Sequence, residues 1–131
     1  MFLHQLHDRE KTAFIELAHL VANASGIMND LERQMIDTYD REMGIDLQIE
    51  DVREQSLDII IAKFESEISR KIAFIEAIAI AFVDGTYDEA EKKVISQLRE
   101  AYGFSQEYYE EVKAWLVDFN KMYVKGLELV N

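Results

Sequence analysis

Apolar residues recur at three- and four-residue spacing along almost the whole 131-residue chain, and no stretch alternates apolar with polar side chains as a half-buried strand does. The pattern predicts an all-α fold. A first helix is expected from about Arg9 to Ala24, burying Phe14, Leu17, Ala18, Val21 and Ala22 and stopping at Ser25-Gly26. A second starts after Asn29 and closes at Gly44, where glycine can take the left-handed backbone that ends helices. A third covers about Asp51 to Phe64 and offers Val52, Leu57, Ile60, Ile61 and Phe64 to the core. Ser66 or Ser69 caps a fourth, which ends at Asp84-Gly85. A fifth follows Asp88 and ends at Gly103. The last runs from Ser105 or Gln106 to near Leu129, with Tyr108, Val112, Trp115, Phe119, Met122 and Leu127 on one stripe.

The fourth helix differs from the others because Ile72 to Val83 is apolar around its whole circumference, the pattern of a helix surrounded by neighbours. It is expected at the centre of the fold. Ala73, Ala77 and Ala81 recur every four residues and form a low ridge on which another helix can sit closely. Sliding the sequence by 59 residues places Ala18 on Ala77, Ala22 on Ala81, Gly26 on Gly85, Glu32 on Glu91, Ile36 on Ile95 and Gly44 on Gly103. Upstream, Lys11 to Glu16 matches Lys71 to Glu76 at an offset of 60. The expectation is one domain, 1–131, of about six helices in two related three-helix repeats, about 9–66 and about 67–130.

Composition narrows the classes of function. The chain has 14 Lys and Arg against 26 Asp and Glu, a formal charge of −12 that opposes binding to a phosphate backbone and favours cations or basic partners. Its 49% hydrophobic residues beside 31% charged ones are those of a folded domain and not of an acidic tail. Having no cysteine, it can build no disulfide, thiolate zinc site or cysteine nucleophile. The apolar run from Ile72 to Val83 is 12 residues long, short of the ~20 needed to span a bilayer. With no leader-like pattern at the N-terminus, a cytoplasmic location is expected and no integral membrane segment.

The segment Glu76-Ala77-Ile78-Ala79-Ile80-Ala81-Phe82-Val83-Asp84-Gly85-Thr86-Tyr87-Asp88-Glu89-Ala90-Glu91 resembles the signature of the tellurite-resistance TerB-like domain family, in which an Ala-rich helix runs into an Asp-Gly turn followed by an early Glu in the next helix. The resemblance extends over most of the chain, since such domains are compact all-α folds of two repeats. This chain departs from the pattern in its first half, where Ser25 stands in place of the Asp before Gly26. The resemblance implies a non-enzymatic protein of tellurite resistance and chemical stress response. It also implies a divalent metal held by Asp84 and Glu91 of the second repeat and Glu32 of the first, with Glu76 a further acid.

Read from the residues alone, Asp84 to Glu91 matches late positions of a calcium-binding EF-hand, but the first and third positions fall on Ile80 and Phe82, which cannot coordinate a hard cation. A looser oxygen site from Asp84, Asp88 and Glu91 stays open. So does a plainer account: Asp88-x-x-Glu91 and Asn29-x-x-Glu32 are both capping-box spacings, and acids in a first turn suit the helix dipole. Asp84 at a helix C-terminus opposes that dipole and needs an Asx-turn or a ligand. Glu76, the one ionisable residue in the apolar run, must be paired, protonated or bound if buried, and Lys11 or another base near the helix start is the expected partner.

His4 and His7, three apart, lack a third ligand, and His19 reads as a packing or surface residue. Tyr102, Phe104, Tyr108, Tyr109 and Trp115 read as core packing at helical spacing. No Ser-His-Asp constellation, phosphate-binding glycine loop or His-Glu-x-x-His motif is present. Three functions follow in order: the TerB-like metal-binding domain, an acidic helical protein-interaction module that docks a partner or forms a homo-oligomer, and last a carboxylate-based hydrolase.

Overall fold

The computed structural model describes residues 1–26, 28–45, 52–82 and 88–131. A short 3-10 turn, Leu3–Gln5, precedes six α-helices: α1 (Asp8–Ala22), α2 (Asp30–Met43), α3 (Leu57–Ala62), α4 (Glu67–Phe82), α5 (Glu89–Tyr102) and α6 (Gln106–Val130). No strand occurs among the described residues. The fold is all-α, as the periodicity predicts.

Helix α4 lies at the centre, packed against α1, α5 and α6, while α1 also meets α2, α3 and α5. Ala73, Ala77 and Ala81 are fully buried, so the alanine ridge is a contact surface and not an exposed face. Around it, Phe14, Leu17, Phe64, Phe74, Ile78, Ile80 and Leu98 close the core. Phe74 stands against the rings of Phe104, Tyr108 and Tyr109 at centroid distances of 5.1, 6.0 and 6.3 Å, which fixes the first turn of α6 on α4.

Local chemistry sets the helix ends. Asn29 Oδ1 accepts the Glu32 N–H at 2.8 Å while Glu32 Oε1 accepts the Asn29 N–H at 3.1 Å, a complete capping box at the start of α2. Asp88 Oδ1 accepts the Glu91 N–H at 2.8 Å at the start of α5. Gly44 and Gly103 close the two helices at φ 71° and 72°, a left-handed conformation that costs other residues about 1 kcal/mol or more. Ser66 Oγ caps α4 by accepting the Ser69 N–H at 3.0 Å, and Ser105 Oγ caps α6 through the Tyr108 N–H at 3.0 Å.

Three expectations change. The third helix is Leu57–Ala62 and not Asp51 to Phe64: residues 52–56 are not helical, and Ser56 is extended at φ −68° and ψ 150° as the N-cap, its carbonyl accepting the Ile60 N–H. Arg53, Glu54 and Gln55 present no apolar side chain whose burial would reward another turn. The expected ends at Asp51 and Asp84-Gly85 lie outside the described residues. The first helix stops at Ala22, earlier than Ala24, with Gly26 beyond it at φ 101°. Trp115, expected in the core, is 41% exposed, because α6 runs on past the body: Phe119, Met122, Leu127 and Leu129 are exposed too.

Burial of the ridge predicts the effect of filling it. Ala77→Leu should cost about 1–3 kcal/mol through overpacking, read as a lower urea midpoint at unchanged slope. A wild-type midpoint would show that α4 is not enclosed.

Candidate functional site

Among the described residues six polar or charged ones are buried, and five of them are glutamates: Glu10, Glu16, Glu32, Glu76 and Glu91. Each must be held by a compensating group. Glu76, on α4, is fully buried, and its two oxygens lie 3.3 and 3.2 Å from the Met1 ammonium, which also sits 3.2 Å from Glu42. The Tyr39 hydroxyl donates to the Glu76 backbone carbonyl at 3.4 Å. Burial pushes the Glu76 pKa up, the Met1 ammonium opposes this, and the Glu42 charge adds to it. Tyr39 is pushed far up by its own burial and by the Glu76 and Glu42 charges, and stays a neutral donor.

Lys11 was one expected partner of Glu76, and the structure places it elsewhere. Its Nζ donates to the Met43 carbonyl at 3.4 Å, at the C-terminus of α2 where the helix dipole favours a cation, and lies 3.9 Å from Asp8.

Glu10 was not singled out by the sequence, yet it ties two helix starts together. One oxygen accepts the His7 N–H at 3.1 Å and the other accepts the Glu65 N–H at 3.0 Å, across from α1 to the segment before α4. Burial would raise its pKa, but these bonds and one from Ser69 outweigh burial and hold it below the ordinary value. The spacing His7-x-x-Glu10 was the available signal. Glu16 is held by Lys63 at 2.8 Å.

Glu32 and Glu91 are both buried at the third position of their helices, where Glu32 completes a capping box and Glu91 supplies the N–H that Asp88 caps. Among the described residues no three His, Asp or Glu side chains come together to hold a metal ion. Asp84 lies outside those residues. A divalent cation on Asp84, Asp88, Glu91 and Glu32 therefore draws on the resemblance, and the described geometry of Glu32 and Asp88 is that of capping.

A groove of about 950 Å³ opens between α1, residues 52–57 and α5, lined by Glu16, His19, Leu20, Asn23, Arg53, Leu57, Lys93, Val94 and Gln97 among others. His19 Nε2 is buried there without a hydrogen-bond partner. Burial lowers its pKa, Arg33 lowers it further and Asp37 works the other way, so the ring is held toward its neutral form. The groove carries both charges, from Glu16, Arg53, Glu54 and Lys93, beside the apolar Leu20, Leu57 and Val94.

Helix α6 carries an exposed apolar row. From Trp115 onward, Val117, Phe119, Met122, Tyr123, Val124, Leu127, Leu129 and Val130 are all exposed, and Phe2 stands at the base of this row, 6.0 Å from Trp115. An exposed apolar row this long marks an association surface.

The buried acids predict opposite pH behaviour. Because the native state raises the Glu76 pKa, the charged carboxylate costs stability above that folded pKa, a cost relieved as pH falls toward the unfolded value. The stability of wild type relative to Glu76→Gln should therefore rise between pH 7 and about pH 4. Glu10 is lowered, so its contribution is present above the unfolded pKa and lost as pH falls through the folded one. Wild type relative to Glu10→Gln should stay level from pH 7 to about pH 4.5 and fall below it in urea unfolding, and parallel profiles would refute both assignments.

Set against protein-family models, curated proteins and solved structures, the chain matches none of them, so its function is argued from the geometry above.

Proposed function

We propose that this protein is a non-enzymatic helical association module, in which a packed acidic body presents the apolar face of α6 for docking. The observation that carries this reading is the row Trp115, Phe119, Met122, Tyr123 and Leu127, exposed on a 25-residue helix whose first turns alone are anchored on α4. Leaving such side chains partly in water forgoes a share of the about 1.5–3 kcal/mol apiece that full burial contributes. A docked partner recovers that energy. The acidic surface supplies solubility and steers basic partners.

The TerB-like resemblance belongs to this proposal as its family reading: a stress-response domain without catalytic chemistry, its two related halves supported by caps and glycines that recur 59 residues apart at Asn29 and Asp88 and at Gly44 and Gly103. A divalent cation on Asp84, Asp88, Glu91 and Glu32 is the part of that reading most easily tested. Titration with calcium, magnesium, manganese and zinc should raise the melting temperature if the cation is resident. No heat and no shift with any of the four would remove it.

Trp115 is the only tryptophan of the chain and stands on the docking face, so its fluorescence reports on that face alone. In dilute protein its emission should be quenched readily by acrylamide. Phe119→Glu with Met122→Glu should change unfolding free energy by about 0.5 kcal/mol or less, as exposed positions do. A shielded Trp115 in the dilute monomer, or collapse of the fold in the double variant, would show that the face packs on its own body and sink the proposal.

A further inference from the structure

The exposed face of α6 has a repeat that selects its occupant. Trp115, Phe119, Met122, Gly126 and Leu129 fall at alternating four- and three-residue steps, the a and d positions of a coiled coil, while Val112, one step earlier, is buried in the body. On this helix Glu111, Asp118 and Lys125 take the flanking g positions, and Leu116, Tyr123 and Val130 the e positions. We propose that this helix pairs antiparallel with α6 of a second copy of the chain. The proposal rests on the association reading above and names its partner.

Three observations choose the second copy and the orientation. The first is volume. In the antiparallel register that stacks Phe119 on Met122 of the second copy, Trp115, the largest side chain, meets Gly126, which has none. Gly126 has ordinary helical backbone, and a Cβ added there would touch nothing in its own chain. Glycine inside a helix costs about 1 kcal/mol relative to alanine, and none of the described residues of the monomer requires it. An indole arriving from a second copy does.

The second is charge along the seam. In the same register Asp118 faces Lys125 of the second copy, and two-fold symmetry forms this pair twice. A parallel pair would instead set Asp118 against Tyr123 and Lys125 against Val130. The third is the field of the whole protein. Beyond Val112, α6 carries Lys113, Lys121 and Lys125 against Asp118 and Glu128, so the acid excess behind the net charge of −12 lies outside it. Antiparallel pairing sends the two acidic bodies to opposite ends of a seam about 17 Å long, about twice the ~8 Å screening length. Parallel pairing would bring them side by side.

The test is sedimentation of the full chain over a wide concentration range, with Trp115 emission followed in parallel. The wild type should form a dimer, and its emission should shift to the blue as it does. Gly126→Leu, which fills the space the indole takes, should weaken the dimer about tenfold or more. Asp118→Lys and Lys125→Asp should each weaken it comparably, since each sets like charges together at two places. An equimolar mixture of these two variants should recover wild-type affinity, because the opposite charges then meet at both places. Circular dichroism should show intact helices in every variant.

A monomer at all concentrations with Trp115 open to quencher overturns the pairing and leaves the association reading standing. Trp115 shielded in the monomer overturns both. A dimer indifferent to the charge variants and their mixture overturns the antiparallel register and points to α6 docking on the acidic body of the other copy.

Discussion

A helix apolar on every side has to be surrounded, and the arrangement of this protein follows from that requirement on α4. Its faces are taken by α1, α5 and the beginning of α6, with Ala73, Ala77 and Ala81 letting backbones approach where larger residues would hold them apart. The same enclosure puts Glu76 in a dry site, where an unpaired charge would cost several kcal/mol. The Met1 ammonium and the Phe2 amide answer that cost, so the first residues are drawn down onto α4 and the 3-10 turn at Leu3–Gln5 is held beside α2. One polar residue in an apolar helix thereby ties the segment before α1 to the core, beside the buried Leu3 and Leu6.

The elements legible in the sequence are those whose boundaries are set by local chemistry. Helices α2 and α5 start and stop where Asn29 and Asp88 cap and where Gly44 and Gly103 turn left-handed, because side chains two or three residues away supply the needed bonds. The start of α3 was not legible: Arg53-Glu54-Gln55 accepts a helix as readily as an extended path, and the rest of the fold decides. Nor was the partner of Glu76, since a chain terminus carries no side-chain signature. Glu10 was overlooked for a related reason. Its bond to the Glu65 amide joins segments far apart in sequence, and only half of its role, the return to His7, has a local spacing.

The acid excess divides into parts with different physical work. Asp30, Glu32, Glu89 and Glu91 stand in first turns, where the helix dipole welcomes them. Glu10 and Glu16 are buried acids with specific partners, and each holds α1 to residues of the α3–α4 connection. Glu76 alone is kept against an unfavourable environment. Of the residues first considered as metal ligands, Glu32 and Asp88 have capping roles, and Asp84 lies outside the described residues. Negative charge is therefore a structural material in much of this protein, and its bare sum says less about ligands than its placement does.

Periodicity reports that a face is apolar and is silent on whether anything lies against it. The stripe of α6 reads in sequence like the stripe of α1, and only the fold separates them: α1 is covered from Ala13 to Ala22, whereas α6 keeps Val112 buried and leaves Met122 72% exposed. Among the described residues, no element covers the second half of that stripe. Gly126 sharpens the point. It weakens a helix already short of tertiary contacts, so its cost must be met from outside the monomer, and the bulk of Trp115 eleven residues earlier is what a mirrored copy would bring to it. The acidic body and the nearly neutral helix then divide the labour, the first keeping copies apart except where the second brings them together.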